Sequence, residues 1–190
     1  MTRRFDPAPL PAELLERVLD QARRVPSAGF SQGVDLLVAT GAPARRRLWG
    51  AIAGEGWLAS PGAAALLAAP VLVLPVADPG AYVRRYGEPD KAGSGLANVP
   101  AAAWPTPYWL VDAAFSVFAL LLAAEDAGVG ALFFRLHRSE QESLAALGIP
   151  EERRLLGAVA LGRRAGDDVP GMSARRPRRD LADVVHREHW

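Results

Sequence analysis

The sequence predicts an α+β fold, a mixed, mainly antiparallel sheet flanked by helices, on three observations. Leu14, Leu15, Val18, Leu19, Ala22 and Val25 recur at helical spacing, and that helix leads through small residues into the apolar run Val34-Asp35-Leu36-Leu37-Val38. The continuous run Val71-Leu72-Val73-Leu74 reads as a strand buried on both faces. Residues 111–127 are apolar nearly all the way round and read as a helix that must be buried on several sides.

Each element follows in order. Pro11 stands where a first helical turn tolerates proline. Residues 43–53 read as a short helix whose apolar face is Leu48, Trp49 and Ile52, and residues 70–76 as the next strand. Between 79 and 107 the chain is rich in Gly, Pro and charge, with Tyr82, Arg84, Arg85, Tyr86, Asp90 and Lys91 at no clear period. This segment reads as a partly helical excursion over the surface, and a connection of that length is a candidate cover for a site. Gly128-Val129-Gly130 stops the long helix, and residues 131–134 follow as a strand. Ser139 with Glu142 makes a capping box for a helix ending near Leu147, and residues 153–161 supply the last clear strand.

At 190 residues the chain fits one domain over 1–190, burying about 70% of the surface its unfolded form exposes. The apolar stretch around 111–124 is broken by Asp112 and Ser116 and falls short of the ~20 apolar residues a bilayer span needs. The start Met1-Thr2-Arg3-Arg4-Phe5-Asp6-Pro7 holds no apolar signal core, so the expectation is a cytoplasmic protein with no membrane partner. With no cysteine, disulfides, thiolate metal sites, iron–sulfur clusters and cysteine nucleophiles are excluded, and any redox chemistry must be borrowed from a cofactor. A net charge of +1 makes no global case for nucleic acid, although Arg175, Arg176, Arg178 and Arg179 form a local cluster able to contact a phosphate. His137, His186 and His189 show no metal spacing with acidic partners. Neither a Gly-x-Ser-x-Gly elbow nor a Gly-rich dinucleotide fingerprint after a strand is found, which argues against a hydrolase and a Rossmann domain.

The turn Pro26-Ser27-Ala28-Gly29-Phe30-Ser31-Gln32 resembles the Pro-Ser-(small)-x-x-Ser-Gln turn of the FMN-dependent nitroreductase family. The resemblance runs along nearly the whole chain. Residues 1–7 look like the end of that family's N-terminal basic motif, 111–134 like its central helix and flavin-facing strand, and 176–185 like its C-terminal basic motif. Pieces in the right order are far more specific than any one short pattern. What the resemblance implies is a nitroreductase-like homodimer with two FMN sites at the interface, the long helix building that interface. It also implies hydride transfer from NAD(P)H through FMN to a nitro compound, quinone or similar small-molecule acceptor, with no side-chain nucleophile. The alternative is a non-catalytic, flavin-binding or flavin-free relative acting in storage or sensing.

By the same resemblance, Pro26, Ser27, Ala28, Ser31 and Gln32 lie against the flavin, though Pro, Ser and Gly also dominate ordinary connections. Arg176 and Arg178, two apart in an extended segment, converge on one phosphate or else form a solvated tail. Arg3 reaches the ribityl or pyrimidine end of the flavin, or is a frayed terminal arginine. Phe133 and Phe134 line one face of the ring, or are two core aromatics, and Arg135-Leu136 stands where the family often has Glu-Gly. Trp104 and Tyr108, with Trp109, either wall a flat substrate site by stacking or serve the core or an interface. Family members carry a further helix and an Arg-Arg or Arg-His pair just upstream of residue 1. Without that piece one phosphate-binding arginine and some dimer contacts are missing, so that either the start lies upstream of the present one, or flavin is bound weakly, or the cofactor has been lost.

Overall fold

A computed structural model describes residues Met1–Trp190. Helix α1 (Ala12–Ala22) follows Pro11, whose extended backbone leads into the first turn, and buries Leu15, Val18 and Ala22. It ends three residues before Val25, because Pro26 disfavours helical backbone in the residue before it, while Asp20 pairs with Arg23 and Arg24 across the last turn. Strand β1 (Val34–Ala39) is followed by α2 (Ala42–Ile52) and two short helices, α3 (Glu55–Leu58) and α4 (Ala63–Leu67). Strand β2 (Val71–Ala77) leads into α5 (Pro79–Tyr86), and a segment of short 3-10 turns then reaches α6 (Tyr108–Asp126). Strand β3 (Gly130–Phe134), α7 (Glu140–Leu147), β4 (Arg154–Leu155) and β5 (Ala158–Gly162) complete the ordered elements.

The strands run in the order β1-β2-β5-β3, with β4 also on β2, and every pairing is antiparallel. The sheet is therefore antiparallel throughout rather than mixed. The unbroken apolar run of β2 arises because helices cover both faces, not because its neighbours are parallel. Leu72, Leu74 and Val76 point into one core with Leu48, Trp49 and Ile52 of α2, while Val71 and Val73 point into a second with Leu15 and Val18 of α1 and Val117 and Leu120 of α6. Each such Val or Leu taken wholly out of water contributes about 1.5–3 kcal/mol. The strand expected over 153–161 is split. Leu74 and Pro75 of β2 have no partners on that side, since Pro75 cannot donate to a ladder, and Gly157 takes a φ of 147° in the gap.

The capping box forms as its spacing predicts. The Ser139 Oγ accepts from the Glu142 N–H at 3.3 Å, and the Ser139 N–H donates to Glu142 Oε2 at 3.1 Å. Gly128, at a φ of 67°, stops α6.

Helix α6 departs from expectation in two ways. It is long and apolar enough, by length and composition, to cross a membrane, with 19 residues and a mean hydropathy of 1.6. It is also not covered on all sides. Asp112, Ala113, Ser116, Val117 and Leu120 face inward, while Phe115, Phe118 and Leu122 stand 47%, 60% and 55% exposed along one outer stripe. The chain has one sheet face, α1 and α5 to offer this helix, which leaves one stripe uncovered. Its inward polar groups are satisfied by protein: the Ser116 hydroxyl donates to the Ala22 carbonyl at 2.8 Å.

Candidate functional site

The turn between α1 and β1 is a tightly constrained piece of irregular backbone. Gly29, Phe30 and Gln32 all have left-handed φ values, 62°, 58° and 49°. Such a conformation costs a residue with a β-carbon about 1–2 kcal/mol, so something must hold Phe30 and Gln32 there. Locally, the Phe30 N–H donates to the Ser27 carbonyl at 2.8 Å, the Ser31 hydroxyl to the Ala28 carbonyl at 2.6 Å, and the Gln32 N–H to Ser27 Oγ at 3.0 Å. From far along the chain, Asp112 Oδ2 accepts the Ala28 N–H at 2.9 Å, and Arg85 Nε donates to the Gly29 carbonyl at 2.8 Å.

Asp112 is 3% exposed, and the same oxygen accepts the Tyr82 hydroxyl at 2.7 Å. Burial and then the hydrogen bond to the Asp112 carboxylate push the Tyr82 phenol well above its ordinary range, so it stays a donor. At the far end of the turn the Asp78 N–H donates to the Gly33 carbonyl at 2.8 Å. Burial alone would raise the Asp78 carboxyl, but Arg84 at 3.0 Å and Arg153 at 2.7 Å outweigh it and hold the group below the usual carboxylate range. Ser27, Gln32, Gly33, Asp112 and Ser116 line a small cavity of about 140 Å³ behind the turn.

Arg3 lies elsewhere. Asp168 Oδ1 accepts the backbone N–H groups of Arg3 and Arg4, each at 3.0 Å, and the Thr2 N–H donates to Ala131 of β3 at 2.9 Å. Arg3, Arg164, Asp168, Gly171 and Ser173 surround a cavity of about 290 Å³. The Arg3 guanidinium sits so closely on Gly171 that a β-carbon there would come within 2.6 Å of Cζ. Two guanidinium groups and a serine hydroxyl at an open cavity form a donor set that fits a phosphate. Arg176 follows in the same turn, its N–H donating to the Ser173 carbonyl at 3.2 Å, but it and Arg178 are both exposed and neither lines the cavity.

The remaining expected residues divide. Phe133 and Phe134 are half-buried on opposite faces of β3. Phe133 packs beside Gly157, and Phe134 stacks on Trp49 with ring centroids 5.4 Å apart. Pro26 is exposed; Ser27, Ala28 and Ser31 are half-buried. Trp104 is only 7% exposed. Its indole donates to the Val99 carbonyl at 3.0 Å and packs against Trp109, so its ring is committed to the core and presents no open wall. Tyr108 is half-buried, edge-on to Trp104 at 6.2 Å.

The turn therefore sits at the β1 edge of the sheet, and Arg3, Phe133 and Phe134 at the β3 edge. These edges are three strand spacings apart, about 14 Å. Sequence reasoning missed Arg164, Tyr82, Arg85 and the role of Asp112. Only Asp112 left a signal, as a carboxylate interrupting an apolar helix.

A model of the nitroreductase family matches residues 1–163. No curated protein matches the chain. Among solved structures it is similar to a nitroreductase family protein from Clostridium difficile 630, with 18% identity, 100% of this chain and 93% of that chain covered, and a TM-score of 0.69. It is similar to B. megaterium NfrA1, at 18% identity, with 100% and 70% covered and a TM-score of 0.73. A Desulfovibrio desulfuricans protein solved in complex with FMN has 19% identity, 100% and 91% covered, and a TM-score of 0.69. At these identities the likeness concerns the fold.

Proposed function

The chain belongs to the nitroreductase family, and from that premise we propose that it moves hydride from NAD(P)H through bound FMN to a nitro compound, a quinone or a similar small-molecule acceptor. The observation that carries this reading is the arginine-lined cavity at one sheet edge together with the stiff, small-residue turn at the other. FMN, when bound, supplies the two-electron transfer; the protein's part is binding, orientation and electrostatics.

Arg3, Arg176 and Arg178, with Arg164 beside them, would hold the phosphate and ribityl end, since guanidinium forks match phosphate oxygens. Pro26, Ser27, Ala28, Ser31 and Gln32 would hold the ring edge, their backbone already braced by Asp112 and Arg85. The strand at Phe133 and Phe134, whose side chains go to opposite faces of the sheet, would back one side of the ring with its edge, and Tyr108, steadied by the buried Trp104, would wall the acceptor.

The protein would act as a homodimer. One chain holds the turn at the Ala77 end of β2 and Arg3 at its Val71 end, about 14 Å across the sheet and about 20 Å along the strands, too far for both to grip one FMN, whereas a second copy can bring its turn to the first copy's arginines. The uncovered stripe of Phe115, Phe118 and Leu122 is the kind of apolar patch that a partner covers. We assign the protein to the cytoplasm, where its reduced nicotinamide donor is found, and expect neither a nucleic-acid nor a membrane partner.

The test is the visible absorption spectrum after mixing with FMN and desalting. Retained bands near ~450 nm, as for an oxidised flavin, with NAD(P)H consumption on adding an acceptor, are expected. A protein that stays colourless after reconstitution would be the flavin-free, non-catalytic relative instead.

A further inference from the structure

Phe30 combines two unfavourable features at one position. Its backbone is left-handed at a φ of 58°, where glycine or asparagine fits with less strain, and its ring is 71% exposed. Folding asks for neither, because a phenyl ring in water adds nothing to a core. Yet the backbone around it is held from both sides, by Asp112 on the Ala28 N–H and by Arg85 on the Gly29 carbonyl. Strain kept in place by its surroundings points to use rather than accident.

The neighbourhood of the ring has a definite chemistry. A β-carbon at Gly29 would lie 2.8 Å from Tyr86 Cε2 and 3.4 Å from Lys91 Cε, so a phenol and an ammonium-bearing chain close in one residue from Phe30. Lys91 Nζ stands 5.6 Å from the centre of the Tyr86 ring. Lys91 is the cation on the Tyr86 ring at this turn, and Arg85 beside it is matched by Glu88 and Asp90.

We propose that Phe30 determines acceptor specificity: its exposed ring stacks on a flat aromatic acceptor. The chemical class selected is the aromatic quinone or nitroarene, over compact or aliphatic acceptors. This rests on the flavin reading above, since the acceptor must lie next to the reduced ring. Aromatic contacts of this kind add enough affinity for a several-fold to tenfold preference.

The experiment uses the full chain loaded with FMN, as wild type, Phe30→Gly and Phe30→Tyr. Binding of the unreactive 2-naphthoate and of cyclohexanecarboxylate is read from the flavin absorbance, and KM is measured for 1,4-naphthoquinone and for ferricyanide. In Phe30→Gly the naphthoate Kd and naphthoquinone KM are expected to rise roughly five- to tenfold. Cyclohexanecarboxylate binding and ferricyanide KM should stay within twofold, the thermal midpoint should not fall, and Phe30→Tyr should restore wild-type values. Naphthoate binding unchanged in a flavin-loaded Phe30→Gly overturns the assignment. So does an equal loss for both acceptors, or a dimer that falls to monomers, which would make the ring a contact between copies. A wild type that retains no FMN overturns the functional reading itself, and this inference with it.

Discussion

The turn at 26–33 and the C-terminal segment from 172 onward are both assigned to one cofactor, yet they are built in opposite ways. The turn is tied to α6 by Asp112, to α5 by Arg85 and to the end of β2 by the Asp78 N–H, partners 45 to 84 residues away. Every residue of 172–190 is exposed, and its hydrogen bonds reach no more than four residues along the chain, as when Arg179 donates to the Asp183 carbonyl. A site half braced by the core meets its ligand ready-made. A half held only locally must be ordered by the ligand or a second copy, and that ordering subtracts from affinity. Damage to the first should therefore appear as lost stability, and damage to the second as lost binding alone.

The largest effect is expected at Asp112. Asp112→Ala leaves the Ala28 N–H and the buried Tyr82 hydroxyl without their acceptor and should cost about 3 kcal/mol, seen as a lower urea midpoint at unchanged slope. Tyr82→Phe removes one of the two bonds and should cost about 1 kcal/mol. A loss under about 0.5 kcal/mol in Asp112→Ala would mean that the turn is not braced from α6.

The tail gives the contrasting result. Arg178→Ala should leave stability within about 0.5 kcal/mol while FMN binding weakens roughly tenfold in a fluorescence titration. Arg179→Ala, whose guanidinium already serves the Asp183 carbonyl, should stay within twofold. Equal losses in both variants would remove the proposed clamp.

A smaller effect concerns acid. Burial pulls the Asp78 carboxyl up and Arg84 and Arg153 pull it down further, so its folded pKa lies below its unfolded value of about 3.9. The unfolded state then binds the proton first as pH falls. The stabilisation is complete above the unfolded pKa and drains away as pH drops through the folded one. Asp78→Asn should accordingly flatten the loss of stability between about pH 5 and pH 2. Parallel acid limbs for the two proteins would show that Asp78 does not brace the turn through its charge.

Much of the fold could be read because it rests on local periodicity. The α1–turn–β1 order, the β2 run and the Ser139–Glu142 box are all present as spacing predicts. Helices α3 and α4 escaped, since Gly54, Gly56, Pro61 and Gly62 break any period across so few residues. Within the candidate site, the turn's composition announced a tight connection, but not that Phe30 and Gln32 would adopt left-handed backbone. The braces came from the segment 79–107, whose charges show no pattern until α5 folds Tyr82 toward Asp112 and Arg85 toward Gly29.

By itself, then, the sequence determined the longer helices and strands, the stops marked by Gly128 and the Ser139 box, and that any redox chemistry must be borrowed, because propensity, hydrophobic period and the lack of cysteine act over a few residues or on composition alone. Tertiary structure decided the strand order, and with it the separation of the turn from Arg3 at opposite sheet edges. It also decided that α6 turns Asp112 and Ser116 inward and leaves Phe115, Phe118 and Leu122 outside. A helix apolar on every side carries no period to say which face meets the sheet; that choice is made by the hydrogen bonds Asp112 and Ser116 find there, which no hydrophobic contact could replace.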